Sequence, residues 1–69
     1  MREFVYAYVF ERKNHWIVKH CPLCGARGRR AHVHGNEALG YRVPHCRNGI
    51  GAPYQYVLTT NPDLNGQWL

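Results

Sequence analysis

The strongest constraint on this chain is a pair of cysteines two residues apart in Cys21-Pro22-Leu23-Cys24-Gly25, answered downstream by His32-Val33-His34-Gly35 and by His45-Cys46. Two thiols at this spacing, joined by a tight turn, converge on one metal ion, and a tetrahedral Zn²⁺ then needs two more donors from elsewhere in the chain. Pro22 fixes its own φ and lacks an N–H, while Gly25 can take the positive φ that such turns commonly require after the second cysteine. Backbone N–H groups in the turn can point at the sulfurs and offset their charge. The spelling predicts a structural site for one zinc ion.

Length makes that ion important. A chain of 69 residues is one domain that buries only about 60% of the surface exposed by its unfolded form, so a core alone holds it marginally. Metal binding adds folding free energy directly, because the site does not exist in the unfolded chain. The three cysteines are an odd number, which a disulfide framework leaves with one thiol over. Metal binding in a reducing compartment is the better account of them. The thioredoxin-like reading of Cys-x2-Cys lacks its surrounding βαβ pattern.

The rest of the chain reads as short strands. Phe4, Tyr6, Tyr8 and Phe10 alternate with Val5, Ala7 and Val9, the period-2 pattern of a strand with two largely apolar faces. Its aromatics are expected in the core, packed on the metal-bearing half, rather than as a platform for stacking bases. Glu11-Arg12-Lys13-Asn14 is a polar break of hairpin length, and residues 15–20 resume the alternation with Trp16 and Val18 on one face. The hairpin leads straight into the cysteine turn. Residues 41–46 form a third expected strand, with Pro44 marking an edge or a bend, and residues 54–60 a fourth, with Tyr54, Tyr56 and Leu58 sharing a face. Residues 47–53 are a loop by their turn residues. The expected fold is therefore a small β-rich zinc-binding domain, ribbon-like or knuckle-like, with about four short strands and little helix. The domain spans residues 1–60, and residues 61–69 are expected to form a loose tail that Trp68 can dock.

His32 and His34 lie two apart, so on an extended segment both rings project from one face. His45 and Cys46, as neighbours on extended chain, point to opposite faces, and only one of them enters the site. Cys46 is the choice, because thiolate is the softer and stronger zinc donor. Gly35 permits a turn that aims the ring before it back at the cysteines. The expected ligands are Cys21, Cys24, His34 and Cys46, with His32 or His45 as alternatives to His34.

Nine Lys and Arg against four Asp and Glu give a formal charge of +5, which favours an anionic partner. Arg27, Arg29, Arg30, Arg42 and Arg47 fall around the metal-ligand motifs, as candidates for gripping phosphates, with Trp16, Tyr41 and Tyr54 as stacking partners. A nucleic-acid-binding module is the leading expectation. The alternative is a protein-interaction module, in which the aromatic first strand adds to the edge of a partner's sheet. A zinc enzyme ranks last, since no His-Glu-x-x-His pattern is present and Glu37 is the sole acidic residue between Arg12 and Asp63. No catalytic residue is expected. No apolar run approaches a membrane span and residues 1–4 do not open a secretory leader, so a cytoplasmic protein without membrane contact is expected.

The order Cys21-Pro-x-Cys24-Gly, His32-x-His34-Gly35, Gly40-x-Arg42-Val43-x-His45-Cys46 and then Tyr56-Val57-Leu58 resembles small zinc-finger-like proteins encoded by bacteriophages of actinobacteria. The likeness covers about the C-terminal two-thirds of the chain. It departs from the family at Tyr41, where a histidine is frequent, and in the longer arginine-rich insert between Cys24 and His32. The resemblance implies zinc binding and action inside a bacterial host cytoplasm, where the protein-interaction alternative is a phage product that binds a host factor.

Overall fold

The computed structural model describes residues 3–47, 49–50 and 53–69. Among the described residues five strands form one sheet, β1 (Phe4–Arg12), β2 (His15–Val18), β3 (Val33–Gly35), β4 (Tyr41–Arg42) and β5 (Gln55–Thr59), in the order β3-β2-β1-β5-β4. The structure is the small β-rich domain expected. Its additional strand, β3, is the extended segment that carries His34.

The β1–β2 hairpin turns on Lys13 and Asn14, which both take left-handed backbone at φ 50 and 63. Two successive positive φ values match the right-handed twist of the flanking strands, and they set the register from Arg12↔His15 to Val9↔Val18. β3 returns antiparallel to β2 in the register His15↔Gly35, Trp16↔His34, Ile17↔Val33. β5 pairs with β1 in parallel, Phe4↔Gln55 through Tyr8↔Thr59. Parallel neighbours need a long crossover, and here the crossover carries β2, the cysteine turn, β3 and β4.

The two faces of β1 divide by side-chain size in the opposite sense to the one expected. Val5, Ala7 and Val9 are buried, whereas Phe4, Tyr6, Tyr8 and Phe10 are only half-buried. The small face clusters with Val18, Cys21, Tyr56 and Leu58, and Trp16, Leu23, Cys24, Ala26 and Cys46 pack against it. The metal-bearing segments have to lie close over the strand, and small residues leave the room for them. The aromatic face turns away from that layer.

Along Phe4–Tyr8, β1 is paired on both sides. β5 lies on one side, and on the other β2 covers its second half while the C-terminal segment covers its first. The Tyr6 N–H donates to the Gln67 carbonyl at 2.8 Å, the Gly66 N–H to Tyr6 at 2.9 Å and the Leu69 N–H to Phe4 at 3.0 Å. The Tyr8 N–H donates to Asn65 Oδ1 at 2.9 Å. Residues 61–69, expected to be a loose tail, are thus tied along β1 by backbone bonds, after a short 3-10 turn at Pro62–Leu64 capped by Asn61. Trp68 docks as foreseen, opposite Val5 and edge-on to Tyr54 at 5.4 Å. The reason lies in unsatisfied backbone: an uncovered half-strand would leave donors and acceptors of β1 without partners.

The third expected strand, over residues 41–46, is reduced to Tyr41–Arg42, and residues 43–46 leave the sheet. Pro44 cannot donate to a ladder, and it is buried where the chain bends toward the cysteines. The loop expected over residues 47–53 includes Asn48, Gly51 and Ala52, which lie outside the described residues. No helix among the described residues is long and apolar enough to cross a membrane.

The C-terminal strap generates a stability prediction. Asn65→Ala strands the half-buried Tyr8 N–H, so chemical denaturation is expected to lose about 1–2 kcal/mol. Amide hydrogen exchange is expected to quicken at Tyr8 while the amides of β2 keep their protection.

Candidate metal centre

β2 delivers the chain to Lys19, His20 and the cysteine turn, and the turn is itself closed as a miniature hairpin. The Cys21 N–H donates to the Ala26 carbonyl at 3.0 Å and the Gly25 N–H to the Cys21 carbonyl at 2.9 Å, with an isolated bridge between His20 and Arg27 outside them. Gly25 takes φ +79, the left-handed backbone its position in the sequence called for.

Cys21, Cys24, His32 and Cys46 meet there, with one donor atom from each lying within 4.8 Å of every other. The Cys21 and Cys46 sulfurs are 3.8 Å apart. His32 Nε2 is 3.3 Å from the Cys24 sulfur and 3.8 Å from that of Cys46. A tetrahedral shell with zinc-like bonds of about 2.3 Å to sulfur and about 2.0 Å to nitrogen has edges of about 3.8 Å between sulfurs and about 3.5 Å between sulfur and nitrogen. These three separations fit the edges of that shell. A disulfide needs a separation of about 2.05 Å, and all three thiols are free. The Cys3His group suits one metal ion.

The histidine in this group is His32, not His34, and strand register explains why. Antiparallel pairing with β2 puts both rings on the core side, as their spacing foretold. The Val18 N–H donates to the His32 carbonyl at 3.0 Å, which places His32 at the end of β2 that enters the cysteine turn. His34 sits opposite Trp16, two residues and so about 6.6 Å farther along the strand from the cysteine turn than His32. The Gly35 turn invoked for His34 does not form, since Gly35 is the last residue of β3. The mirror symmetry of a chain that runs into a turn and back out was the signal to use: the histidine nearer the turn in sequence is also nearer in space.

His34 takes a different role. Its Nε2 shares a hydrogen bond with the Tyr56 hydroxyl, and both residues are buried. Burial, and then the charges of His45, Arg42 and His32, push His34 down to about 4. Burial, and then the three thiols, raise Tyr56 above an ordinary phenol, so the two meet as a neutral ring and a neutral hydroxyl. His45 stays outside the group. It is exposed, with its ring 4.5 Å from that of His34 and 6.3 Å from that of His32.

The thiols differ in acidity. Burial raises Cys21, against hydrogen bonds from the Cys24 and Leu23 backbone. Burial, and then the neighbouring thiols of Cys24 and Cys21, push Cys46 up to about 12. Burial also works against the Cys24 thiolate, but the Ala26 backbone and the Cys46 and Cys21 thiols outweigh it and hold Cys24 below the ordinary value. Burial and His45 lower His32, which keeps its ring neutral and ready to ligate.

The arginines separate into two groups. Arg27, Arg30 and Arg47, with His45, surround a depression of about 400 Å³ whose inner wall is Cys24 and His32. Gly28–Arg30 is a 3-10 turn rather than an open loop. Arg27, the extended residue before the turn, and Arg30, its last residue, both line the depression, and Arg29 does not. Arg42 is occupied elsewhere, donating to the Ala38 carbonyl at 2.8 Å and the Gly35 carbonyl at 3.5 Å. None of the expected stacking residues lines the depression. The Trp16 Nε1–H donates to the Glu37 carbonyl at 2.9 Å, Tyr41 lies edge-on to Phe4 at 5.0 Å, and Tyr54 meets Trp68.

No protein-family model matches the chain, and neither the curated proteins nor the solved structures hold a match to it.

Two outcomes follow from this geometry. His32→Ala removes a ligand and is expected to lower metal affinity by more than a hundredfold in a chelator competition. His34→Gln should keep the metal stoichiometry and lose at most about 1–3 kcal/mol through the Tyr56 hydroxyl. Because Cys21 and Cys46 hold their protons at neutral pH, metal binding must displace them. Calorimetry in buffers of different ionisation enthalpy is expected to show about two to three protons released per ion, with affinity that rises with pH.

Proposed function

We propose that the protein is a small zinc-stabilised module that binds nucleic acid through the depression beside its metal centre. The observation that carries this reading is the grouping of Arg27, Arg30 and Arg47 around one concave site with no carboxylate in its lining. Three thiolates around a divalent ion leave one negative charge, which three guanidiniums exceed. The surplus is available to phosphate, for which the planar guanidinium is the best matched side chain.

Zinc is the ion that three thiolates and an imidazole in a tetrahedral arrangement favour. All four positions are filled by protein, which leaves no place for a metal-bound water and supports a structural rather than a catalytic ion. Action in the cytoplasm of a bacterial host accords with free thiols and with the resemblance to phage proteins. Docking on a host protein is the weaker reading, since β1, the strand proposed to join a partner's sheet, has both edges covered along its aromatic half, Phe4–Tyr8.

Elemental analysis of the purified protein is expected to give one zinc per chain. Fluorescence anisotropy with labelled DNA and RNA across a salt series should then show log K falling linearly with log salt, at roughly −0.7 per phosphate contacted on a single strand and −0.9 on a duplex. A binding constant that ignores salt, or no binding to either nucleic acid, would reject the proposal.

A further inference from the structure

A second depression, of about 290 Å³, lies on the other side of Arg27 and is bounded by Tyr8, Lys19, His20, Pro62 and Asn65. Arg27 lines both depressions, so they adjoin at one side chain. The backbone at the junction is held on two sides, by the bridge of Arg27 to His20 and by the Arg30 N–H donating to the Arg27 carbonyl at 3.2 Å. The second depression owes its far wall to the C-terminal strap, and the Tyr8 backbone bond to Asn65 fixes that wall against β1.

Resting on the nucleic-acid reading above, we infer that single-stranded nucleic acid is the ligand, with its backbone crossing Arg47, Arg30 and Arg27 and an unpaired base entering the second depression against Tyr8. The chemistry changes along the track. The first depression offers three guanidiniums and His45. The second offers one aromatic ring flanked by Lys19 and His20, with Pro62 adding an apolar surface. A cationic groove that leads to an aromatic side chain is the arrangement that holds a single strand, with phosphates on the cations and a base on the ring. A duplex turns its bases inward and presents phosphates on a convex surface, so it has nothing to place against Tyr8. Neither 3-10 turn, each of three residues, is long enough to read a major groove.

The test uses the zinc-loaded full chain and fluorescence anisotropy with a short oligothymidylate, an oligouridylate and a mixed-sequence duplex of equal length. The single strands are expected to bind at least tenfold tighter than the duplex. Arg27→Ala is expected to weaken single-strand binding about tenfold and make the salt slope shallower by about 0.7. Tyr8→Leu should weaken it roughly five- to a hundredfold with the slope unchanged, because stacking is not an ionic contact, and Tyr8→Phe should retain the affinity. Arg29→Ala, outside both depressions, should stay within twofold of the parent. Zinc content and hydrogen-exchange protection of β1 verify that each variant is folded. Equal binding of duplex and single strand, or an Arg29→Ala effect as large as that of Arg27→Ala, overturns the track while leaving a nucleic-acid-binding protein. Failure of all three probes to bind overturns both.

Discussion

Three sulfurs and an imidazole nitrogen held within 4.8 Å of one another form an arrangement that a chain has no reason to adopt for itself. As thiolates they repel, and as neutral thiols they give little back for the backbone order they demand. A shared cation reverses that balance. The surrounding structure is consistent with such a demand: β1 presents only Val5, Ala7 and Val9 beneath the cluster, β3 returns in the register that brings His32 level with the cysteine turn, and Pro44 bends residues 43–46 out of the sheet so that Cys46 can reach inward.

Electrostatics tie the centre to the surface around it. Cys24 and His32 serve the metal cluster and also form a wall of the arginine-lined depression. Charge on the ligand shell and charge on the guanidiniums are therefore felt across a short, partly desolvated distance, where attraction is stronger than in bulk water. The segment that looks like an insertion in the metal motif supplies Arg27 and Arg30 to the depression, so it is also what shapes the neighbouring site. The short bonds that close the cysteine turn, from Cys21 to Ala26, hold both.

Much of this was legible in the residues, and the parts that were not share a cause. The hairpin, the strand that carries Tyr56 and Leu58, the three cysteines of the cluster and the positive φ of Gly25 follow from local pattern: alternation, turn chemistry and donor type. The choice between His32 and His34 depends instead on strand register, which no local feature of His-Val-His specifies. The two faces of β1 were assigned the wrong way round because both are apolar, and period-2 alternation does not say which one is covered by another layer. Asn61, Pro62, Asp63, Asn65 and Gly66 carry the composition of a loose end, yet they lie along β1. Their order comes from the vacant half-edge of a strand far earlier in the chain, with Tyr8 and Asn65 57 residues apart, which is a property of the sheet and not of the segment.

The parallel pairing of β1 with β5 joins Phe4 to Gln55 and Tyr8 to Thr59, and the residues after β5 close the other edge of the same strand. β1 is thus completed on both sides by segments that come far later in the chain. Until they pair with it, its aromatic stretch has only β2 to lean on. Without β5 and the residues after it that stretch is a sticky, half-paired ribbon, so assembly is governed by a slow, long-range closure rather than by the quick local hairpin.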